Sequence, residues 1–349
     1  MKTSFDSDFG FQHIWDDYRP SRLIALPALA SAINVKHVFA KLEGDRPLGN
    51  FKVLGGVTAG LRALARAMGA STLQELRTPQ GGRQALPQLI CASDGNHGLA
   101  VAFAAAHVGT RASIYLPVGV SQARFERIAA LGAHIVSIQG TYDDAVSAAQ
   151  AAAMRGEGIL VPDTTDDLDD VVVRDVMSGY SLLTSELIDQ FVESGDVRPS
   201  HAFIQAGVGG LAAAIAEGFH THMHHPQRLI VVEPMAAAGV SLALAAGRPV
   251  AVGGDLHTCA EMLSCGLASA PAVDMLLRHD ARSVVVSDDD IAAAVNALAE
   301  FGGPETTPSG AAGLAGLLCV AANEALRAAH LINADSNILL VITEASLGT

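Results

Sequence analysis

The strongest constraint on this chain is an alternation. Short apolar runs of strand length alternate with Ala-rich runs of helix length through most of its 349 residues. Residues 89–92, 112–116, 134–138 and 159–162 form one series of apolar runs, and residues 202–205, 229–233, 283–287 and 338–343 a second. Parallel strands need a crossover rather than a tight turn, so strand–helix repetition specifies βαβ units and mainly parallel sheet. Two series predict an α/β protein of two doubly wound domains, with a ligand site between them where loops leave the strand ends. The expected division is a small domain over residues 54–171 and a larger one made of 1–53 and 172–349. Residues 78–88, rich in Pro, Gly and Gln, and the acidic run 163–170 are the stretches expected to be weakly held.

Composition removes several classes of function. Half the residues are apolar but only 5% are aromatic, which suits helices packed closely on parallel strands rather than a β-sandwich. Mean hydropathy is positive, yet no uninterrupted apolar run reaches the roughly 18 residues a spanning helix needs. The N-terminus carries Asp6 and Asp8 and lacks the apolar stretch of a signal peptide. A cytoplasmic protein with no membrane partner is therefore expected. A formal charge of −14 offers nothing to neutralise a nucleic-acid backbone. Cys91, Cys259, Cys265 and Cys319 lack CxxC spacing and read as free thiols. The cluster His220, His222, His224 and His225 precedes Pro226 and reads as an exposed helix end, so no metal is expected.

Three constellations carry chemistry. The first is Gly49-Asn50-Phe51-Lys52-Val53-Leu54-Gly55-Gly56, a lysine between an apolar strand (38–42) and a helix. Desolvation lowers a lysine pKa and frees the amine to condense with an aldehyde. The second, Ser93-Asp94-Gly95-Asn96-His97-Gly98, opens a helix over 99–107, where backbone N–H groups bind anions. The third is Gln205-Ala206-Gly207-Val208-Gly209-Gly210-Leu211, a Gly-rich turn followed by a helix N-terminus, which is a phosphate cradle. It lacks the complete G-x-G-x-x-G pattern, which disfavours a dinucleotide site.

In this order, the three motifs resemble the tryptophan synthase β-subunit-like enzymes that depend on pyridoxal phosphate (PLP), known as fold type II. Within that group the chain looks most like the ammonia-lyases of small diamino acids such as 2,3-diaminopropionate. The resemblance runs from about Tyr18 to Thr343. It includes Tyr142-Asp143-Asp144, Asp163-Thr164, Met177-Ser178-Gly179-Tyr180, Val232-Glu233-Pro234 and Ser309-Gly310-Ala311.

The resemblance implies residue roles. Lys52 would bond to PLP, Phe51 would pack beside the pyridine ring, and Asn96 would bond to the ring's 3-oxygen. The backbone of Gly207, Val208, Gly209 and Gly210 would hold the phosphate, and the Thr343 hydroxyl would face the pyridine nitrogen. A neutral hydroxyl there favours elimination over transamination. Lys52, Asp94 and Asp163 would be catalytic, and Ser93, Asp94, Asp163 and Asp167 would bind the substrate, a small amino acid. His97 would pack and hydrogen-bond within its loop. A homodimer is expected by analogy alone.

Two segments depart from the pattern. Thr165-Asp166-Asp167-Leu168-Asp169-Asp170 replaces an aromatic–acid–glycine group and reads as a solvated loop or an acidic rim. Pro308 stands where relatives carry an acid. A serine or threonine dehydratase, a β-replacement synthase and a non-catalytic binder that kept the fold remain open alternatives at this level.

Overall fold

A computed structural model describes residues 9–15, 17–78, 85–93 and 95–346. It forms two compact units. Among the described residues there are ten strands. They are β1 (Leu23–Ala25), β2 (His37–Leu42), β3 (Leu89–Ala92), β4 (Ala112–Pro117), β5 (His134–Ile138), β6 (Ile159–Leu160), β7 (His201–Gln205), β8 (Arg228–Pro234), β9 (Arg282–Val286) and β10 (Asn337–Ile342). Each of the eight apolar runs read from the sequence overlaps one of these strands, with ends within two residues. The missed strand, β1, is three residues long and has no period to detect.

The first unit comprises residues 52–165 and 169–180 with the N-terminal segment through Arg19. Its sheet has the order β5-β4-β3-β6 and is parallel throughout. Helix α1 (Phe11–Ile14) begins the unit, followed by α2 (Lys52–Met68), α3 (Asn96–His107) and α4 (Tyr142–Met154). Small residues let α2 and α3 approach closely: a Cβ on Gly56 would come within 2.7 Å of the Ala100 methyl, and one on Gly60 within 3.0 Å of Ala104. Residues 169–180 open α5 (Val171–Glu193). There Gly179 lies on the backbone of Leu54 and Gly55, a contact no side chain would permit.

The described part of the N-terminal segment groups with the first unit, whereas the expected division placed residues 1–53 together. Trp15 stacks on Phe103 of α3 with ring centroids 5.1 Å apart, and Phe11 stacks on Trp15 at 5.8 Å. This aromatic anchor holds the segment to the first unit, and strand alternation carries no trace of it. Residues 1–8 and 79–84, on which the expectations for the N-terminus and for most of 78–88 fall, lie outside the described residues.

The second unit contains a six-stranded sheet, β1-β2-β10-β7-β8-β9. Only the β1–β2 pair is antiparallel. Helices α6 (Gly210–Phe219), α7 (Gly239–Ala246) and α8 (Pro308–Ala321) follow in order. The core cluster gathers Val38, Ala40 and Leu42 of β2, Phe203, Ile230, Val232, and the α8 residues Ala311, Ala312, Leu314 and Ala315. Central parallel strands are covered on both faces, which is why they read as continuous apolar runs. Helix α8 is Gly- and Ala-rich because its backbone rests on the sheet: a Cβ on Gly313 would sit 2.8 Å from the Phe203 carbonyl oxygen. Among the described residues, no single helix is long and apolar enough to cross a membrane. The cysteines are free, with Cys91 and Cys265 buried and Cys259 and Cys319 half-buried.

Candidate active site

Lys52 is the first residue of α2, and its amine donates to Asp163 Oδ2 at 2.5 Å. Asp163 follows β6 and is 8% exposed. The Tyr142 hydroxyl donates to its other oxygen, Oδ1, also at 2.5 Å. Tyr142 opens α4, whose start is set by a capping box between Thr141 and Asp144. Burial alone would raise the Asp163 pKa. The Lys52 charge and the two hydrogen bonds outweigh it and hold the carboxyl well below the usual range. The same burial pushes the neighbouring Tyr180 phenol up to about 12 and the Cys91 thiol well above its ordinary value, so neither is a base at neutral pH.

The Asn loop is shaped by its own serine. Ser93 Oγ accepts from the N–H groups of Gly95 and Gly98, both at 2.8 Å, and the residue is buried. The side chain expected to touch substrate is thus a staple of the loop. Gly95 adopts φ 141°, which favours glycine, and a Cβ on Gly98 would meet Ile114 at 2.6 Å. Asn96, 8% exposed, is the first residue of α3. His97 Nε2 bonds the Val161 carbonyl at 2.9 Å, which makes that nitrogen the protonated one. Its Nδ1 makes no hydrogen bond and faces Gly56, and burial lowers its pKa, so the ring is neutral. His97 therefore ties α3 to the segment that carries Asp163. Asp94 lies outside the described residues.

The acidic run resolves into separate duties. Asp167 is exposed. Asp169 pairs with Arg174 at the surface, and Asp170 accepts from the Val172 and Val173 N–H groups at 2.8 and 3.0 Å, capping α5.

In the second unit, the Gly loop leaves β7 and Thr343 follows β10, its neighbour, so both stand at the carboxyl end of the same sheet. Gly209 has φ 94°. A Cβ on Gly207 would reach Cys265 Sγ at 3.0 Å, so the loop presents bare backbone. It runs into α6, whose first N–H groups lack intrahelical acceptors and favour an anion. Phe51 is half-buried and its N–H donates to the Thr343 carbonyl at 3.1 Å. The chain leading to it is anchored by a buried ionic network that the sequence did not reveal. Arg46 bonds Glu43 and Glu186, and Lys41 donates to Glu186 at 2.6 Å. Burial lowers the Lys41 pKa in spite of these partners.

The first unit holds an amine beside a carboxylate, and the second holds a backbone cradle for an anion and a buried hydroxyl; each is a group of the kind that could hold PLP. The sequence model of the pyridoxal-phosphate dependent enzymes matches residues 14–344. The chain belongs to that family. Among curated PLP-family relatives, a diaminopropionate ammonia-lyase of Escherichia coli (strain K12) is 33% identical over 342 residues, covering 94% of this chain and 84% of that one. A second, from Salmonella typhimurium (strain LT2), is 31% identical over 350 residues and covers 94% and 85%. The solved structure of selenomethionine-labelled holo diaminopropionate ammonia-lyase from Escherichia coli superposes with a TM-score of 0.86 at 30% identity, covering 98% of this chain and 88% of that one. The motif resemblance and the fold type II expectation hold, and PLP is the cofactor. Sequence reasoning missed Tyr142 as a partner of Asp163. Its capping box was visible, but the contact was not.

Proposed function

We propose that the protein eliminates the β-amino group of a small diamino acid of the 2,3-diaminopropionate type, giving pyruvate and ammonia. The observation that carries this reading is the buried Asp163 carboxylate, held ionised against the Lys52 amine by Tyr142. Such a carboxylate suits a substrate bearing a second ammonium group, and the curated relatives that match most of the chain are diaminopropionate ammonia-lyases.

PLP, when bound, supplies an electron sink that makes a Cα–H bond acidic. Lys52 is the residue that would hold it covalently, with Asn96 and Phe51 against the ring and Gly207, Val208, Gly209 and Gly210 around the phosphate. With substrate bound, the Lys52 amine would serve as a base for the Cα proton, and Asp94 is proposed as a second base that would let the other enantiomer react. Asp163 holds a positive charge at the β-position and keeps Lys52 within reach. The leaving β-amine departs with its electron pair and a proton as ammonia. The released unsaturated amine adds one water and loses a second ammonia, so diaminopropionate and water balance to pyruvate and two ammonia. The acidic segment ending at Asp170, with Asp167 exposed, fits a rim that attracts a cationic substrate.

The test is release of pyruvate and ammonia by the PLP-loaded protein from D- and L-2,3-diaminopropionate, with serine and threonine as controls. Two ammonia per pyruvate, abolished in Lys52→Ala, is the expected result. Turnover of serine or threonine with none of either diamino acid would overturn the proposal in favour of a dehydratase.

A further inference from the structure

Strands β7 and β10 part before either one ends. Their paired register stops at Leu340 opposite Phe203, whereas β10 continues to Ile342 and β7 to Gln205. The Gln205 side chain, 2% exposed, fills that opening. Its amide nitrogen, with two hydrogens to share, lies within hydrogen-bond distance of four acceptors: Ser309 O at 3.2 Å, Gly310 O at 2.9 Å, Val341 O at 3.1 Å and Thr343 Oγ1 at 3.1 Å. Three of these four are carbonyls and accept only, so the nitrogen must face them and the amide cannot be reversed. The amide oxygen is buried without a hydrogen-bond partner, against Gly313, where a Cβ would come within 2.8 Å. A buried polar atom left unpaired is unfavourable. The amide is therefore retained in this place for its donors.

One of those donors controls the Thr343 hydroxyl. An oxygen that already accepts a hydrogen bond offers its own proton more strongly, because the two bonds polarise each other in the same sense. Thr343 stands at the carboxyl end of β10, beside the strand that leads into the Gly loop. We propose that Gln205 is a positioning residue: by donating to Thr343 Oγ1 it commits that hydroxyl to donate to the pyridine nitrogen of PLP, and so keeps the nitrogen unprotonated. The inference rests on PLP being held as described above. It assigns to a neighbour of the phosphate loop, and not to Thr343 alone, the setting of the cofactor's electron demand.

The test uses full-length protein loaded with PLP labelled with ¹⁵N at the pyridine nitrogen, whose resonance reports protonation independently of turnover. In the wild type the nitrogen should be unprotonated at neutral pH. Gln205→Met, which keeps the bulk and removes both donors, should raise its protonation midpoint by about one pH unit, a tenfold change in that equilibrium. Thr343→Val should raise it equally, and the double variant should go no further, whereas Thr343→Ser should leave it in place. If Gln205→Met does not fold, Gln205→Glu serves: its single proton is taken by the three carbonyls, and a rise of the same sign is expected. A nitrogen already protonated in the wild type overturns the proposal. So does a resonance unmoved by either Gln205 variant while thermal stability falls, which would make Gln205 a strut only. Failure of the wild type to take up PLP would remove the functional reading itself, and this inference with it.

Discussion

Asp163 stays ionised where burial alone would neutralise it, and Tyr142 is the neutral part of that arrangement. Its hydroxyl satisfies the oxygen that Lys52 does not. Tyr142→Phe leaves that oxygen buried without a donor, a loss typically worth about 1.5–3 kcal/mol for a charged acceptor. We expect kcat/KM for diaminopropionate to fall about ten- to a hundredfold. The acid limb of the pH–rate profile should also move to higher pH, because the carboxyl then titrates nearer its ordinary range. A profile displaced in height but not along the pH axis would show that Tyr142 acts only through packing.

At the scale of elements, glycines decide which backbones can touch. Gly179 of α5 rests on the Leu54 carbonyl and the Gly55 Cα of α2, the helix that begins with Lys52. Gly179→Ala drives a methyl into backbone that cannot yield, and overpacking of this kind destabilises by about 1–3 kcal/mol. A lowered melting temperature is expected, together with weaker lyase activity from a displaced Lys52. Gly253→Ala is the matched control: nothing lies within 4 Å of its added Cβ, so a change below about 0.5 kcal/mol is expected. The Gly loop answers to a different constraint. At φ 94°, Gly209→Ala is strained by roughly 1–2 kcal/mol. A fluorescence titration with PLP should show weaker binding; unchanged affinity would mean that the loop does not carry the phosphate.

For the molecule as a whole, one contribution to acid stability should come from a histidine remote from the chemistry. His201 starts β7 at the end opposite the Gly loop, fully buried, with Nε2 bonded to the His330 carbonyl at 2.9 Å and Nδ1 to the Ser200 hydroxyl at 2.8 Å. Burial lowers its pKa to about 4 from the ordinary 6.5. Between those values the His201 of the unfolded chain binds more protons than that of the native one, so its contribution to stability is complete above pH 6.5 and declines as pH falls towards 4. The total is roughly 3 kcal/mol, from 1.36 kcal/mol per unit. Urea unfolding at stepped pH should show the decline in the wild type and a flatter slope in His201→Gln. Equal slopes would assign the acid sensitivity elsewhere.

Much of this protein is written locally. Strands β3 and β10 are legible because a covered parallel strand must be apolar along its length. The Gly207–Gly210 turn is legible because a positive φ and a bare backbone demand glycine there. Lys52 is legible from its place between a strand and a helix start. What the sequence could not supply are meetings between distant residues. Tyr142 and Asp163 are 21 positions apart, Gln205 and Thr343 are 138 apart, and Trp15 finds Phe103 from a segment with no strand of its own. Such pairs depend on how packed elements bring side chains together, and no local period or turn preference encodes that. Strand positions, the glycine turn and the place of Lys52 at a helix start were therefore legible in the sequence alone. The tertiary structure decided which groups keep the carboxylate charged, which amide addresses the hydroxyl, and which unit receives the N-terminal segment.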